Sequence, residues 1–190
     1  MAFRHPMQGL EMRPAASADL SWIESTIGTG SISEDVSEFL VDRYGTLSHL
    51  LDLCNSHLAQ CLIGHRGGRT AGCIAWRQDE FVGALLVHIV SPEFQDLGIG
   101  TALLAGFVDG ARESGLRVLE TRIPESLERA GRLYTRQGFR RTVQWIRLGR
   151  GDAVVQVRSN DLKRIKSFEV EGFTALNVWC HYERILSGRA

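Results

Sequence analysis

Apolar residues recur at helical spacing through the first third of the chain. Pro14 to Leu20 leads into a helix start, where Ser17 can cap, Asp19 suits the first turn, and Leu20, Ile23 and Ile27 follow on one face. Gly28 and Gly30 end that helix. Ser33 to Arg43 and Leu47 to Leu58 then read as one or two more, with Val36, Phe39 and Leu40, and later Leu50, Leu51 and Leu58, on apolar faces. From Gln60 the period changes. Cys61 to His65 and Thr70 to Trp76 are short β-rich runs separated by Arg66-Gly67-Gly68-Arg69, a hairpin signal. Ala84 to Val90 is nearly all apolar, as a central strand covered on both faces requires.

After Ser91-Pro92, the glycines of Gly98-Ile99-Gly100 open a helix over Thr101 to Glu113, with Leu103, Leu104, Phe107 and Val108 on its apolar face and Gly115 as its stop. Leu116 to Ile123 reads as a strand, Glu125 to Gln137 as a helix closed by Gly138, and Arg141 to Leu148 as a strand. Beyond the turn at residues 149–152 come a strand at Ala153 to Val157, a helix at Asp161 to Val170 ended by Gly172, and a strand-like run from Ala175 to Leu186. One echo is visible at an offset of 34: Tyr134, Gly138, Phe139 and Trp145 recur as Phe168, Gly172, Phe173 and Trp179. Two copies do not make a solenoid, and any helix-Gly-strand unit with an aromatic anchor produces such an echo; that plain reading is the one expected.

Composition narrows the class. With 190 residues, 44% hydrophobic and 23% charged, this is an ordinary globular chain that needs no metal or disulfide staple. Lys+Arg 22 against Asp+Glu 22 leaves no net charge and no basic field for nucleic acid. The distribution is uneven: residues 1–60 hold three arginines against eight carboxylates, and residues 111–150 hold ten arginines against four. Cys54, Cys61, Cys73 and Cys180 form no CxxC pair and have no zinc-like spacing to histidine, so they read as buried apolar side chains and no metal is expected. The N-terminal residues show no apolar leader and no run approaches 18 apolar residues, so a cytoplasmic protein without membrane contact is expected.

The chemistry concentrates in Val90-Ser91-Pro92-Glu93-Phe94-Gln95-Asp96-Leu97-Gly98-Ile99-Gly100-Thr101-Ala102-Leu103-Leu104. A buried strand runs into a glycine-containing loop and then a helix, whose first N–H groups and dipole can hold an anion such as a pyrophosphate. A dinucleotide fold wants GxGxxG directly after the strand; here Leu103 takes the third position, the loop begins too late, and Glu120 as an imitation of the ribose acid is the only support. A P-loop fails because no Gly-Lys-Ser/Thr follows.

The segment resembles the acetyl-CoA-binding motif of the GNAT N-acetyltransferase superfamily, Q/R-x-x-G-x-G/A, through Gln95, Gly98 and Gly100, with Val-x-Pro before it and Ala102-Leu103-Leu104 after it. A second family element follows at the expected distance, a helix ending Ala-x-x-Leu-Tyr-x-x-x-Gly-Phe, as Ala130, Leu133, Tyr134, Gly138 and Phe139. The resemblance covers about Gln8 to Arg150 in the order α-α-β-β-β-α-β-α-β. It implies a single domain, α/β in class: a mixed, mainly antiparallel central sheet flanked by helices, with a core at about 8–150 and a helix/strand extension at 151–190. Three roles are open to that extension: extending the sheet, exchanging a strand with a second copy in a homodimer, or covering the acceptor pocket.

By that resemblance acetyl-CoA lies in an opening between the Ala84 to Val90 and Leu116 to Ile123 strands. Ile89 and Val90 hold the acetyl and pantetheine amides through their backbone. The N–H groups of Gln95, Asp96, Leu97, Gly98, Ile99, Gly100 and Thr101 hold the pyrophosphate. Arg129, Arg132 and Arg136 add positive potential for the phosphates. Tyr134 protonates the departing thiolate after direct attack by a neutral primary amine, carried by a small molecule or a peptide. Its plain alternative is an aromatic packed in the core with a satisfied hydroxyl. His88 is the candidate general base, although family members place a base where this chain has Ala84 and Leu86. The alternatives are a hydrogen-bonded core histidine, or water relaying the proton to Glu120 or to solvent. Two departures stand out: Asp96 where the family often has Gly, and Leu127 where many members have Asn. They support the rival expectation of a non-catalytic GNAT-like module that binds CoA or a protein. Trp145 and Trp179 read as sheet-packing aromatics.

Overall fold

A computed structural model describes residues 9–28, 52–53, 56 and 58–186. By internal contacts the chain forms two compact units, residues 1–119 with 185–190, and residues 120–184. The expected helices at 33–43 and 47–58 lie largely outside the described residues; Asp52 and Leu53 are helical, while Leu58 lies outside any helix and is 63% exposed.

The first unit opens on a strand that the periodicity did not predict, β1 (Leu10–Pro14), paired antiparallel with β2 (Ala59–Arg66). Five residues with alternating half-buried positions are too short a run to stand out, and the pairing with β2 makes the strand. Helix α1 (Ser17–Gly28) follows. Its start is not capped by Ser17, which is already helical. Asp19 reaches back to the Ala16 N–H at 2.7 Å and takes a two-pronged ion pair from Arg13 at 2.6 and 2.9 Å, tying β1 to α1. The Arg13 guanidinium holds the Asp19 carboxyl below its usual range. β2 turns through Gly67 and Gly68, both at positive φ as a two-residue hairpin with the right-handed strand twist requires, into β3 (Arg69–Asp79). β3 pairs antiparallel with β4 (Val82–Val90). β4 is buried or half-buried along its length, with Ala84, Leu85, Leu86 and Val87 all under 5% exposed, as its unbroken apolar run predicts. A short 3-10 turn (Pro92–Phe94) leads to α2 (Ile99–Glu113), which buries Leu103, Leu104 and Phe107 completely. One face of the strands packs on Ile23 of α1 through Cys61, Ile63, Cys73, Ala75 and Ile89.

The second unit holds β5 (Val118–Pro124), α3 (Glu128–Arg136), β6 (Arg140–Arg150), β7 (Ala153–Arg158), α4 (Leu162–Val170) and β8 (Thr174–Ile185). Its strand order is β5-β8-β6-β7. The tail after residue 150 therefore extends the sheet, and its last strand lies inside the sheet, between β5 and β6. The expected helix start at Glu125 moves to Glu128 because the Glu125 N–H continues the ladder to the Val178 carbonyl at 2.8 Å.

Here the echo at offset 34 proves to be more than a coincidence of composition. The run β5-α3-β6 matches β7-α4-β8 element by element: 119–124 against 153–158, 128–136 against 162–170, and 140–150 against 174–184. Exchanging the copies reverses the strand order into itself. Trp145 faces Trp179 across β6 and β8 at the centre of this approximate two-fold relation. The backbone bonds repeat as well. Glu125 N–H to Val178 and Ser159 N–H to Gln144 are both 2.8 Å; Phe139 N–H to Tyr134 and Phe173 N–H to Phe168 are both 3.0 Å. Gly138 and Gly172 end their helices at φ +81° and +86°, each beneath an arginine, Arg184 and Arg150, at 3.6 Å from where a Cβ would stand. Trp145 carries the guanidiniums of Arg122 and Arg158 at 5.6 and 5.5 Å from its ring centre.

Because both glycines occupy the left-handed region in matched surroundings, Gly138→Ala and Gly172→Ala should each destabilise by about 1 kcal/mol, and by similar amounts. Denaturant midpoints of the two variants check this.

Candidate active site

In the first unit β4 delivers the chain to the loop at 91–98, and several contacts fix where that loop goes. The Ser91 N–H and hydroxyl hold the carbonyls of Ala71 and Thr70 at 2.9 and 3.2 Å, and Arg69 grips both oxygens of Glu93 at 2.6 Å. The loop then takes two residues with left-handed backbone, Asp96 at φ +61° and Gly98 at φ +78°. That alternation turns the chain sharply into α2. The first helical bond runs from the Ala102 N–H to the Gly98 carbonyl at 3.0 Å, so the N–H groups of Ile99, Gly100 and Thr101 precede any acceptor within the helix. They sit at its positive end, and Gly98 as N-cap offers no side chain across them. The arrangement is suited to an anion.

His88, on β4 opposite Ile74 of β3, places Nε2 3.0 Å from the Gly100 carbonyl. A carbonyl only accepts, so Nε2 carries the proton and donates. Burial of the imidazole drops its pKa to about 4, against the partial compensation of that bond. The ring is therefore neutral at neutral pH, and the nitrogen that meets Gly100 braces the first turn of α2. Ile89 and Val90 end β4 beside Cys73 and Gly72 of β3, Ile89 buried and Val90 half-buried.

In the second unit Tyr134 stands on α3, 3% exposed, edge-on to Phe139 at 5.5 Å and tilted against Tyr182 at 6.1 Å between ring centres. Burial raises its pKa far above the ordinary phenol value, opposed by a side-chain hydrogen bond with Thr121 of β5. The phenol is thus fully protonated at neutral pH. Gly131, one turn earlier, leaves room for Tyr182, whose Oη lies 2.7 Å from where a Cβ would stand. Arg132 is exposed and paired with Glu128 at 2.9 Å, one turn back on α3. Leu127 occupies the N-cap of α3 without a side-chain cap.

A family model described as Acetyltransferase (GNAT) family matches residues 30–139. The chain belongs to the GNAT acetyltransferase family. Its sequence matches no curated protein closely enough to pair them. Solved structures are similar in fold. One is yncA, a putative acetyltransferase from Salmonella typhimurium with its cofactor acetyl-CoA, at 19% identity over 96% of this chain and 97% of that one, with a TM-score of 0.68. Another is the PaiA N-acetyltransferase from Thermoplasma acidophilum in complex with coenzyme A, at 15% identity over 93% and 99%, with a TM-score of 0.61. The ribosomal-protein-S18-alanine N-acetyltransferase from Escherichia coli is similar at 15% identity over 95% and 96%, with a TM-score of 0.61.

Within this GNAT chain the backbone accounts for the departure at Asp96. The position needs φ +61°, which explains a preference for Gly there, and Asp is among the few side-chain-bearing residues that tolerate it. Sequence reasoning passed over Thr121 and Tyr182. The signal that finds them was present: at offset 34 their counterparts are Val155 and Leu148, and the counterpart of Tyr134 is Phe168.

The depressed His88 pKa has a sign that can be measured. Unfolding returns the imidazole to about 6.5, so its stabilising contribution is complete above that pH and is lost as pH falls toward 4. The residue keeps some exposed surface, which reduces the effect below the full shift. Relative to His88→Gln, the wild type should lose about 1–2 kcal/mol of stability between pH 7 and pH 5, read from denaturation curves at the two pH values.

Proposed function

We propose that the protein transfers an acetyl group from acetyl-CoA to a primary amine of a small molecule or peptide, by direct attack within a ternary complex. The observation that carries this reading is the loop at 95–101: two left-handed residues and a helix N-terminus braced from β4, in a chain of the GNAT family. In this reading the N–H groups of Gln95 to Thr101 hold the pyrophosphate and the backbone of Ile89 and Val90 holds the pantetheine and acetyl amides. Arg132 adds positive charge for the phosphates from the exposed face of α3. The neighbouring folds bound to acetyl-CoA and to coenzyme A support that choice of donor. The third neighbour is named as a ribosomal-protein-S18-alanine N-acetyltransferase, which supports a peptide amine among the candidates here.

Tyr134 is the proton donor in this scheme. Its buried, protonated phenol suits a group that must keep its proton until the thiolate forms. His88 fits a brace better than a base, because its donating nitrogen is engaged with Gly100 and its pKa of about 4 leaves it a weak acceptor for an ammonium proton. The amine then loses its proton to water. A non-catalytic module that binds CoA is the rival reading, and the carboxylate of Asp96 beside the anion loop is the observation that favours it.

Acetyl-CoA or CoA at 100 times its dissociation constant should stabilise the protein by about 2.7 kcal/mol, several degrees in thermal midpoint, while NADH should not. No shift with either CoA compound would overturn the assignment of the loop. Asp96→Gly suits the left-handed position and removes a negative charge beside the anion, so it should fold as well as wild type and tighten CoA binding several-fold in the same assay. Tyr134→Phe should lower turnover about 100-fold in a thiol-release assay and leave CoA binding nearly unchanged. An unchanged rate would remove Tyr134 as the acid and favour the rival.

A further inference from the structure

The two β-α-β copies of residues 120–184 act as an internal control on each other. At offset 34, Thr121, Tyr134 and Tyr182 correspond to Val155, Phe168 and Leu148, so the three hydroxyl-bearing residues about α3 have no hydroxyl at the matching positions about α4. The backbone nonetheless closes in the same way, and the ring pairs keep the same arrangement. Tyr134 meets Phe139 at 5.5 Å and 68°, and Phe168 meets Phe173 at 5.2 Å and 64°. Val155 and Phe168 pack against a core of Leu148, Val157, Ile165 and Phe173. The fold therefore forms at these positions without hydroxyls, and burying a hydroxyl costs free energy unless it is bonded. Thr121 is 3% exposed and lies two residues before Ile123, which meets Gly131 of α3, so both are on the face of β5 that α3 covers. Packing alone does not account for a buried Thr-Tyr pair where Val-Phe serves.

We propose that Thr121 is a positioning residue for Tyr134: its hydroxyl donates to the Tyr134 Oη, turning the phenol's own proton toward the leaving group and steadying the oxygen that has given it up. This rests on the acetyl-transfer reading above. In the step it serves, the amine nitrogen attacks the acetyl carbon, the C–N bond forms and the C–S bond breaks with its electron pair going to sulfur. Sulfur then takes the proton from Tyr134. The nitrogen loses its extra proton to water and a proton returns to the phenolate, so the products are the acetylated amine and CoA thiol. The hydrogen bond from Thr121 gains strength as charge develops on Oη, which places its effect on turnover and not on binding.

The test compares Thr121→Val, Thr121→Ser, Tyr134→Phe and the double variant Thr121→Val with Tyr134→Phe, in the full chain. Thiol release from acetyl-CoA is followed with water, spermidine and an alanine-ended peptide as acceptors. The double variant reproduces the Val-Phe pair of the second copy and should match or exceed the wild-type thermal midpoint, whereas Thr121→Val alone leaves the buried Tyr134 hydroxyl one bond short and should lower the midpoint slightly. The kcat of Thr121→Val should fall roughly tenfold with KM for acetyl-CoA unchanged, Thr121→Ser should restore most of the rate, and the double variant should be no slower than Tyr134→Phe alone. A Thr121→Val rate equal to wild type, with Tyr134→Phe impaired, overturns the role of Thr121 and leaves the acid assignment standing. A rate unaffected by Tyr134→Phe, or no protein-dependent thiol release at all, overturns the acetyl-transfer reading and this inference with it. A fall in kcat that Thr121→Ser does not restore, or a rise in KM alone, also overturns it.

Discussion

The antiparallel pairing of β6 with β8, in the register that sets Trp145 opposite Trp179, is the constraint on which residues 120–184 depend. With that register fixed, each helix of the unit must cover strands drawn from both copies. Gly131 on α3 accommodates Tyr182 of β8, while Ile165 on α4 shares a core with Leu148 of β6. A slip by one residue would send every side chain of the strand to the opposite face and empty both cores. The two tryptophans, with arginines stacked on Trp145, make such a slip costly on the other face as well.

In the other unit a single side chain does comparable service at smaller scale. His88 spends its proton on a carbonyl in the first turn of α2, linking a buried strand to the segment where the backbone N–H groups converge. The loop before that turn carries two left-handed residues, one of them not glycine, and such a conformation persists only when its surroundings hold it. Arg69 with Glu93, Ser91 with β3, and His88 with α2 are the restraints that do so. Backbone N–H groups held in this way would cost little to organise for an anion, in keeping with the function proposed above.

Much of this was legible from residue types. The central strand could be read from Ala84 to Val90 because burial on both faces demands an unbroken apolar run, and the hairpin from Gly67-Gly68 because the turn demands positive φ. The turn into α2 could be read from Gly98 and Gly100, and the helix end at Gly138 from the glycine that follows Tyr134. Other features resisted. β1 has too few residues to show a period, Glu125 looked like a helix start until the ladder claimed its N–H, and Asp19 took the capping role that Ser17 was expected to fill.

The sequence by itself determined the local elements and the kind of backbone each turn needs, because periodicity and glycine placement act over a few residues and are written in them directly. It also contained the repeat at offset 34. Only the tertiary structure decided what the repeat meant, by showing the same bonds in both copies and the last strand lodged between β5 and β6. The pairing of Thr121 with Tyr134, and the use of His88 as a donor to Gly100, were likewise decided there. Both join residues more than ten positions apart, so nothing short of the folded chain brings them to hydrogen-bond distance.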